Sequence, residues 1–192
     1  MEAAVQIPSV MTLQEFLAWD APGGPPWQLV DGEPRAMAPA SRTHGRIQSG
    51  LISLIDVHLT GRGGSCTVIT APGVVPRLRS NCNFRVPDLA VTCSGYEQEE
   101  STLTNPVLLV EILSPSNQAE TWTNVWAYTT IPSVREILIV HSTAIRAELL
   151  RRDGSGNWPE RALTIEDGTL ELQSIGFTAD LAALYRGTRL AT

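Results

Sequence analysis

Two acidic residues interrupt runs that otherwise read as buried strands. Asp88 sits in RVPDLAV (85–91), and Glu111 breaks the apolar stretch from Val107 to Leu113 in PVLLVEILSPS. An ionised carboxylate in such surroundings is costly to bury unless a cation, a donor cluster or a metal meets it. Adjacent strands lie only about 4.8 Å apart, so two acids at matched heights on one face can share a hard cation. Mg²⁺, with Mn²⁺ as its substitute, usually takes one or two carboxylates and completes its shell with water and phosphate. The chemistry that fits is phosphodiester hydrolysis, in which the ion lowers the pKa of attacking water and neutralises charge on the phosphate. Pro87 beside Asp88 suits an edge or bulged position, because proline cannot donate to the ladder.

The elements that must position these acids follow from pattern. Thr12 and Glu15 form a capping box opening a short helix, and Asp31-Gly32 between two short apolar segments predicts a hairpin. Ile47, Leu51, Leu54, Ile55 and His58 recur at helical spacing, which predicts an amphipathic helix from about Ser41 to Leu59. CTVITAPGVVPRLR and FRVPDLAVTC carry strand signals, and the acidic loop SGYEQEESTLTN reads as solvated. PVLLVEILSPS has the continuous apolar character of a strand covered on both faces. A second helix is expected from about Asn117 to Thr129, with Asn117 as cap and Glu120 answering it. VREILIVHS is another buried strand, AIRAELLRRDGSGNWPE an edge hairpin, TLELQS a last strand and TADLAALYRG a short terminal helix. The expected class is α/β (α+β): one domain over 1–192, a mixed sheet flanked by helices, with an added N-terminal hairpin and C-terminal strands.

Composition narrows the function. The chain has 192 residues, 43% hydrophobic and 18% charged, enough for a sizeable core. No apolar run approaches the roughly 20 residues that span a bilayer, and MEAAVQIPSVMTLQEF lacks a basic start and apolar core. A cytoplasmic protein without a membrane partner is expected. Cys66, Cys82 and Cys93 are odd in number without CxxC spacing, which predicts free thiols rather than a disulfide framework or zinc site. All 14 basic residues are arginine, so any mechanism requiring a lysine ammonium is excluded. The net charge of -6 argues against nonspecific nucleic-acid binding by the whole surface. Yet Arg35 to Arg85 holds seven arginines and one acid, Asp56, for +6, while the rest holds seven arginines and 19 acids, for -12. That asymmetry forms a basic face or disperses in three dimensions; the sequence leaves both open.

WQLVDGEPRAMAPASRTHGRI, FRVPDLAV, LLVEILSPSN and VREILIV together resemble the Uma-two family of restriction-endonuclease-like proteins, within the PD-(D/E)XK nuclease superfamily. The resemblance covers roughly residues 10 to 186. It implies a restriction-endonuclease-like sheet, a metal-dependent DNA endonuclease, and Asp88 and Glu111 as metal ligands. It also implies a lysine, either two residues after Glu111, where this chain has Leu113, or on the next helix about one turn before Tyr128, where it has Asn124. Arginine keeps its proton and is a poor stand-in for a proton-transferring lysine. The resemblance therefore carries a rival reading, a nuclease-fold protein that has lost catalysis and serves in binding or assembly. It further implies that Asn124→Lys would restore a positive donor.

Other candidates follow. His44, at the start of the main helix, touches phosphate or orients Glu111, or makes only a helix-terminal hydrogen bond. Glu33, after the hairpin turn, reaches the acidic pair as a further ligand or stays a plain hairpin acid. Arg42, Arg46 and Arg85 are the candidate DNA contacts. DNA is the expected partner, and a homodimer is allowed. His58 and His141 read as satisfied core histidines, and Trp122 with Trp126, four apart on one helical face, as core or a protein interface. The serines of Ser114-Pro115-Ser116 lack a GxSxG elbow, and no phosphate loop or dinucleotide fingerprint occurs.

Overall fold

The computed structural model describes residues 10–23, 26–95, 101–115 and 117–191. The stretch read for a secretory signal up to residue 9, the acidic loop at 96–100 and Ser116 lie outside them. The order is α1 (Leu13–Leu17), β1 (Trp27–Val30), β2 (Glu33–Ala36), α2 (Arg42–Gly61), β3 (Thr67–Thr70), β4 (Leu89–Thr92), β5 (Pro106–Leu113) and α3 (Gln118–Tyr128). Then follow β6 (Glu136–His141), β7 (Ala147–Arg151), β8 (Leu163–Ile165), β9 (Thr169–Leu172), β10 (Phe177–Asp180) and a 3₁₀ turn, Leu181–Tyr185.

Six strands form the central sheet in the order β3-β4-β5-β6-β7-β8. Only β5 and β6 run parallel, joined through α3, so the sheet is mixed as expected. Strand alternation sorts β5 between two layers. Leu108, Val110 and Ile112 meet Ile47, Leu51 and Ile55 of α2, while Leu109 and Leu113 meet Val125 and Tyr128 of α3. Glu111 shares the parity of Leu109 and Leu113, which turns its carboxyl toward α3. The β9–β10 pair and the 3₁₀ turn cover α2 through Leu170, Leu172, Phe177 and Leu184.

Local signals explain most ends. The Thr12 hydroxyl accepts from the Glu15 backbone N–H while the Glu15 carboxylate takes the Thr12 N–H, closing the capping box. Asp31 and Gly32 both have positive φ, 51° and 92°, the geometry an Asp-Gly hairpin requires. Ser41 caps α2 by accepting from the His44 N–H.

Five expectations need correction. The strand sought from Arg85 begins only at Leu89: Phe84 and Arg85 make single bridges to Leu29 and Val74, and Asp88 sits in a bend. The Asn117 side chain does not cap α3; it accepts from the Ser114 backbone N–H and hydroxyl. Glu120 binds Gln28 instead of answering the cap. Phe177–Asp180 forms a strand against β9, and the expected terminal helix shrinks to the 3₁₀ turn. Cys66 and Cys93 form a disulfide, against the expectation of free thiols. The register Thr67↔Thr92 places these cysteines opposite one another at the end of the β3–β4 ladder, a juxtaposition their separation of 27 residues does not reveal. Thiol titration of the denatured, unreduced chain should therefore count one reactive thiol, Cys82, rising to three after reduction. A count of three before reduction would remove the bond.

Candidate functional site

A cleft of about 430 Å³ opens where the N-terminus of α2, the bend before β4, the C-terminal half of β5 and the first turns of α3 converge, with the β1–β2 hairpin region as its remaining wall. Asp88, Glu111, His44 and Asn124 all line it.

Each acid is held from two sides. Asp88 Oδ1 lies 2.7 Å from His44 Nε2, and Asp88 Oδ2 accepts the Ile112 backbone N–H at 2.6 Å. Gln48, one helical turn beyond His44, donates to the Asp88 carbonyl at 3.0 Å and pins the bend that carries it. Glu111 is 6% exposed, and Tyr128 donates its hydroxyl to Glu111 Oε1 at 2.7 Å. Burial, and then the negative charge of Asp88, push the Glu111 carboxyl well above the ordinary carboxylate range; donation from Tyr128 and Asn124 opposes this. Burial also pushes the Tyr128 phenol well up, reinforced by Glu111, with Arg85 pulling it back.

The other expected site residues fall elsewhere. Glu33 is exposed, paired with Arg35 at 2.9 Å, and does not line the cleft. The hairpin reaches in through Gln28 of the partner strand instead, whose amide donates to Glu120. Arg42 and Arg46 are exposed on the first turns of α2. Arg85, expected among surface DNA contacts, is buried between Asn83 and Asn124. Of the seven arginines from Arg35 to Arg85, Arg62 donates to the carbonyls of Ile175 and Gly176, Arg35 and Arg79 pair with acids, and Arg85 is buried. His58 meets the Ile175 carbonyl and the Phe177 ring, and His141 pairs with Glu148 at 2.8 Å. Trp122 packs partly buried near α3's core face, while Trp126 is 49% exposed.

Sequence reasoning left without a role Gln28 and Gln48, which line the cleft, and Tyr128, which reaches Glu111 from the core. A signal existed for two of them: Gln28 is a polar residue inside a tryptophan- and leucine-flanked strand, and Gln48 lies four residues after His44 on the same helical face.

Among the described residues, no group of three or more His, Cys, Asp and Glu side chains is set to hold a metal ion. Two carboxylates remain, each oxygen with a second acceptor direction. A like-charged pair in a mostly buried cleft favours a cation between them, and that donor set fits a hard divalent ion completed by water or phosphate.

The family model described as "Uma2: Putative restriction endonuclease" matches residues 13–182. The chain belongs to the Uma2 family. An uncharacterized protein of Synechocystis sp. is 30% identical over 176 residues, 91% of this chain and 90% of that protein. The crystal structure of "a putative nuclease belonging to DUF820" from Anabaena variabilis superposes with a TM-score of 0.75 at 17% identity, covering 91% of this chain and 97% of that one. That likeness establishes the nuclease-like mixed fold. The Uma2 match spans every element that builds the cleft, from the hairpin through α2, β4, β5 and α3. No helix among the described residues is long and apolar enough to cross a membrane.

Proposed function

We propose that this protein is a metal-dependent endonuclease acting on DNA, with Mg²⁺ or Mn²⁺ held by Asp88 and Glu111. The observation that carries the reading is the pair itself: two carboxylates brought to one cleft by β5 and by the bend that leads into its neighbour β4, each fixed by its own donors. When bound, the ion would supply an activated water and neutralise charge on the phosphate. The chain's own groups do the positioning. His44 and the Ile112 N–H hold the Asp88 carboxylate, Gln48 holds its backbone, and Tyr128 and Asn124 hold Glu111.

Purified protein incubated with plasmid DNA and Mg²⁺ or Mn²⁺ should nick or linearise it, and Asp88→Ala should not. Equal cleavage by the variant would sink the assignment.

Tyr128→Phe keeps the ring packed but removes one donor from Glu111. Losing such a partner typically weakens metal binding by roughly 10- to 100-fold, so calorimetric titration with Mn²⁺ should show a loss of that size. An unchanged affinity would take Tyr128 out of the site.

A second reading has its own support. Asp88, Glu111 and Glu120 line the cleft and none of the described lining residues is an arginine, a wall that repels a polyanion. This favours a nuclease-fold binding or assembly protein without catalysis. A folded protein that binds Mn²⁺ yet cleaves with neither metal would establish it over the first.

A further inference from the structure

Arg85 is 3% exposed, and among the described residues no carboxylate forms an ion pair with it. An unpaired buried charge is strongly unfavourable, so its neighbours matter. Arg85 Nη2 donates to Asn83 Oδ1 at 2.8 Å and Nη1 to Asn124 Oδ1 at 3.3 Å. An amide whose oxygen is taken by a guanidinium must present its N–H₂ elsewhere; Asn124 lines the cleft together with Glu111, and its amide acts to lower the raised Glu111 pKa. Among the described residues, Arg85 is the arginine whose guanidinium is hydrogen-bonded to a residue lining the cleft. Arg42 and Arg46 are exposed and do not line it, Arg46 lying against Gly187, and Arg135 lies near the other end of β5, bonded through its backbone to Val107. The chain has no lysine to offer.

We propose that Arg85 is the resident cation of this cleft, a positioning residue that fixes Asn124 so that its amide N–H₂ is delivered to Glu111. This deepens the metal-site reading and rests on it. The arginine and asparagine together fill the place of one positive donor, the charge coming from the segment before β4 and the contact from α3. It follows that Asn124→Lys does not repair the site. Its ammonium would stand beside the buried guanidinium, and two like charges there repel.

The test is a cycle of four proteins: wild type, Asn124→Lys, Arg85→Met and the double variant, each read by melting temperature and by calorimetric titration with Mn²⁺. Asn124→Lys alone should melt lower and bind Mn²⁺ at least tenfold more weakly. The double variant carries the wild-type charge and should recover both, melting above Asn124→Lys and regaining at least tenfold in Mn²⁺ affinity. Should Arg85→Met fail to fold while the double variant folds, the exchange of charge is supported directly. A double variant no more stable than Asn124→Lys, or Asn124→Lys with wild-type melting and affinity, overturns the proposal. Recovery of melting without recovery of Mn²⁺ affinity also overturns it, reducing Arg85 to packing. The cycle reads without DNA, so absence of cleavage in every protein refutes the proposed reaction and not this assignment.

Discussion

Glu111→Gln is expected to abolish Mn²⁺ binding and, in the metal-free protein at pH 8, to raise the melting temperature by about 3–8 °C. Both effects have one cause. Burial and the nearby Asp88 hold the folded-state pKa of Glu111 well above its ordinary value of 4.5. The folded protein therefore keeps a proton that the unfolded chain releases. The stability this confers is fully present below about pH 4.5 and is lost as pH rises through the raised value. An amide of the same shape carries no such loss. The variant should thus gain on the wild type steadily above pH 4.5 and converge with it below. Added Mn²⁺ should reverse the order at pH 8, because an ion that binds only the folded wild type stabilises only the wild type. Melting curves that track in parallel across pH would show that Glu111 carries no strain in the empty cleft. The assignment of Glu111 as a ligand would then lose its energetic basis.

How much of this was legible depends on how local each signal was. Asp88 and Glu111 stood out because a charge contradicts an apolar strand, and the structure brings both into one cleft. The apolar stripe from Ile47 to Leu59 predicted α2, since helical periodicity needs no partner to be seen. Glu33 and Arg85 were misplaced for opposite reasons. Glu33 looked chemical beside its turn, but it pairs with Val30 at the turn end of the hairpin, and the strand residue that lines the cleft is Gln28, two positions further from the turn. Arg85 counted as a surface charge, because the bridges Leu29↔Phe84 and Val74↔Arg85 that bury its segment join residues distant in sequence. The same holds for Cys66 and Cys93, paired by a strand register that spacing does not encode. Glu120 fitted a capping rule and was claimed by Gln28, 92 residues away. β10 was missed because GFTAD is short and followed at once by a turn-forming apolar run; only the pairing with β9 makes it a strand.

Arg151→Met should lower stability by about 3 kcal/mol, or roughly 6–12 °C in melting temperature. Glu136 opens β6 and is 1% exposed, and Arg151 Nε approaches its Oε1 at 2.5 Å. The same carboxylate accepts the backbone N–H groups of Gln173 and Ser174 in the β9–β10 turn, while Arg151 Nη2 donates to the Glu171 carbonyl. One ion pair thus fastens the C-terminal hairpin to the central sheet. Removing the guanidinium leaves a buried carboxylate with two backbone donors. Arg151 is itself 29% exposed, so the loss belongs at the low end for a broken buried pair. Adding Glu136→Gln should recover about half the loss, because an amide oxygen still accepts a backbone N–H without a charge to shelter. The hairpin packs on the apolar stripe of α2, the helix whose first turns carry His44 and Gln48, but Glu136 lies across from Leu108, three residues before Glu111 on β5. Mn²⁺ affinity measured well below the melting temperature should therefore stay within about twofold of wild type, the hairpin acting on stability alone. A variant that melts normally but binds Mn²⁺ tenfold more weakly would show the reverse: the hairpin sets the position of α2, and through it the hold of His44 on Asp88.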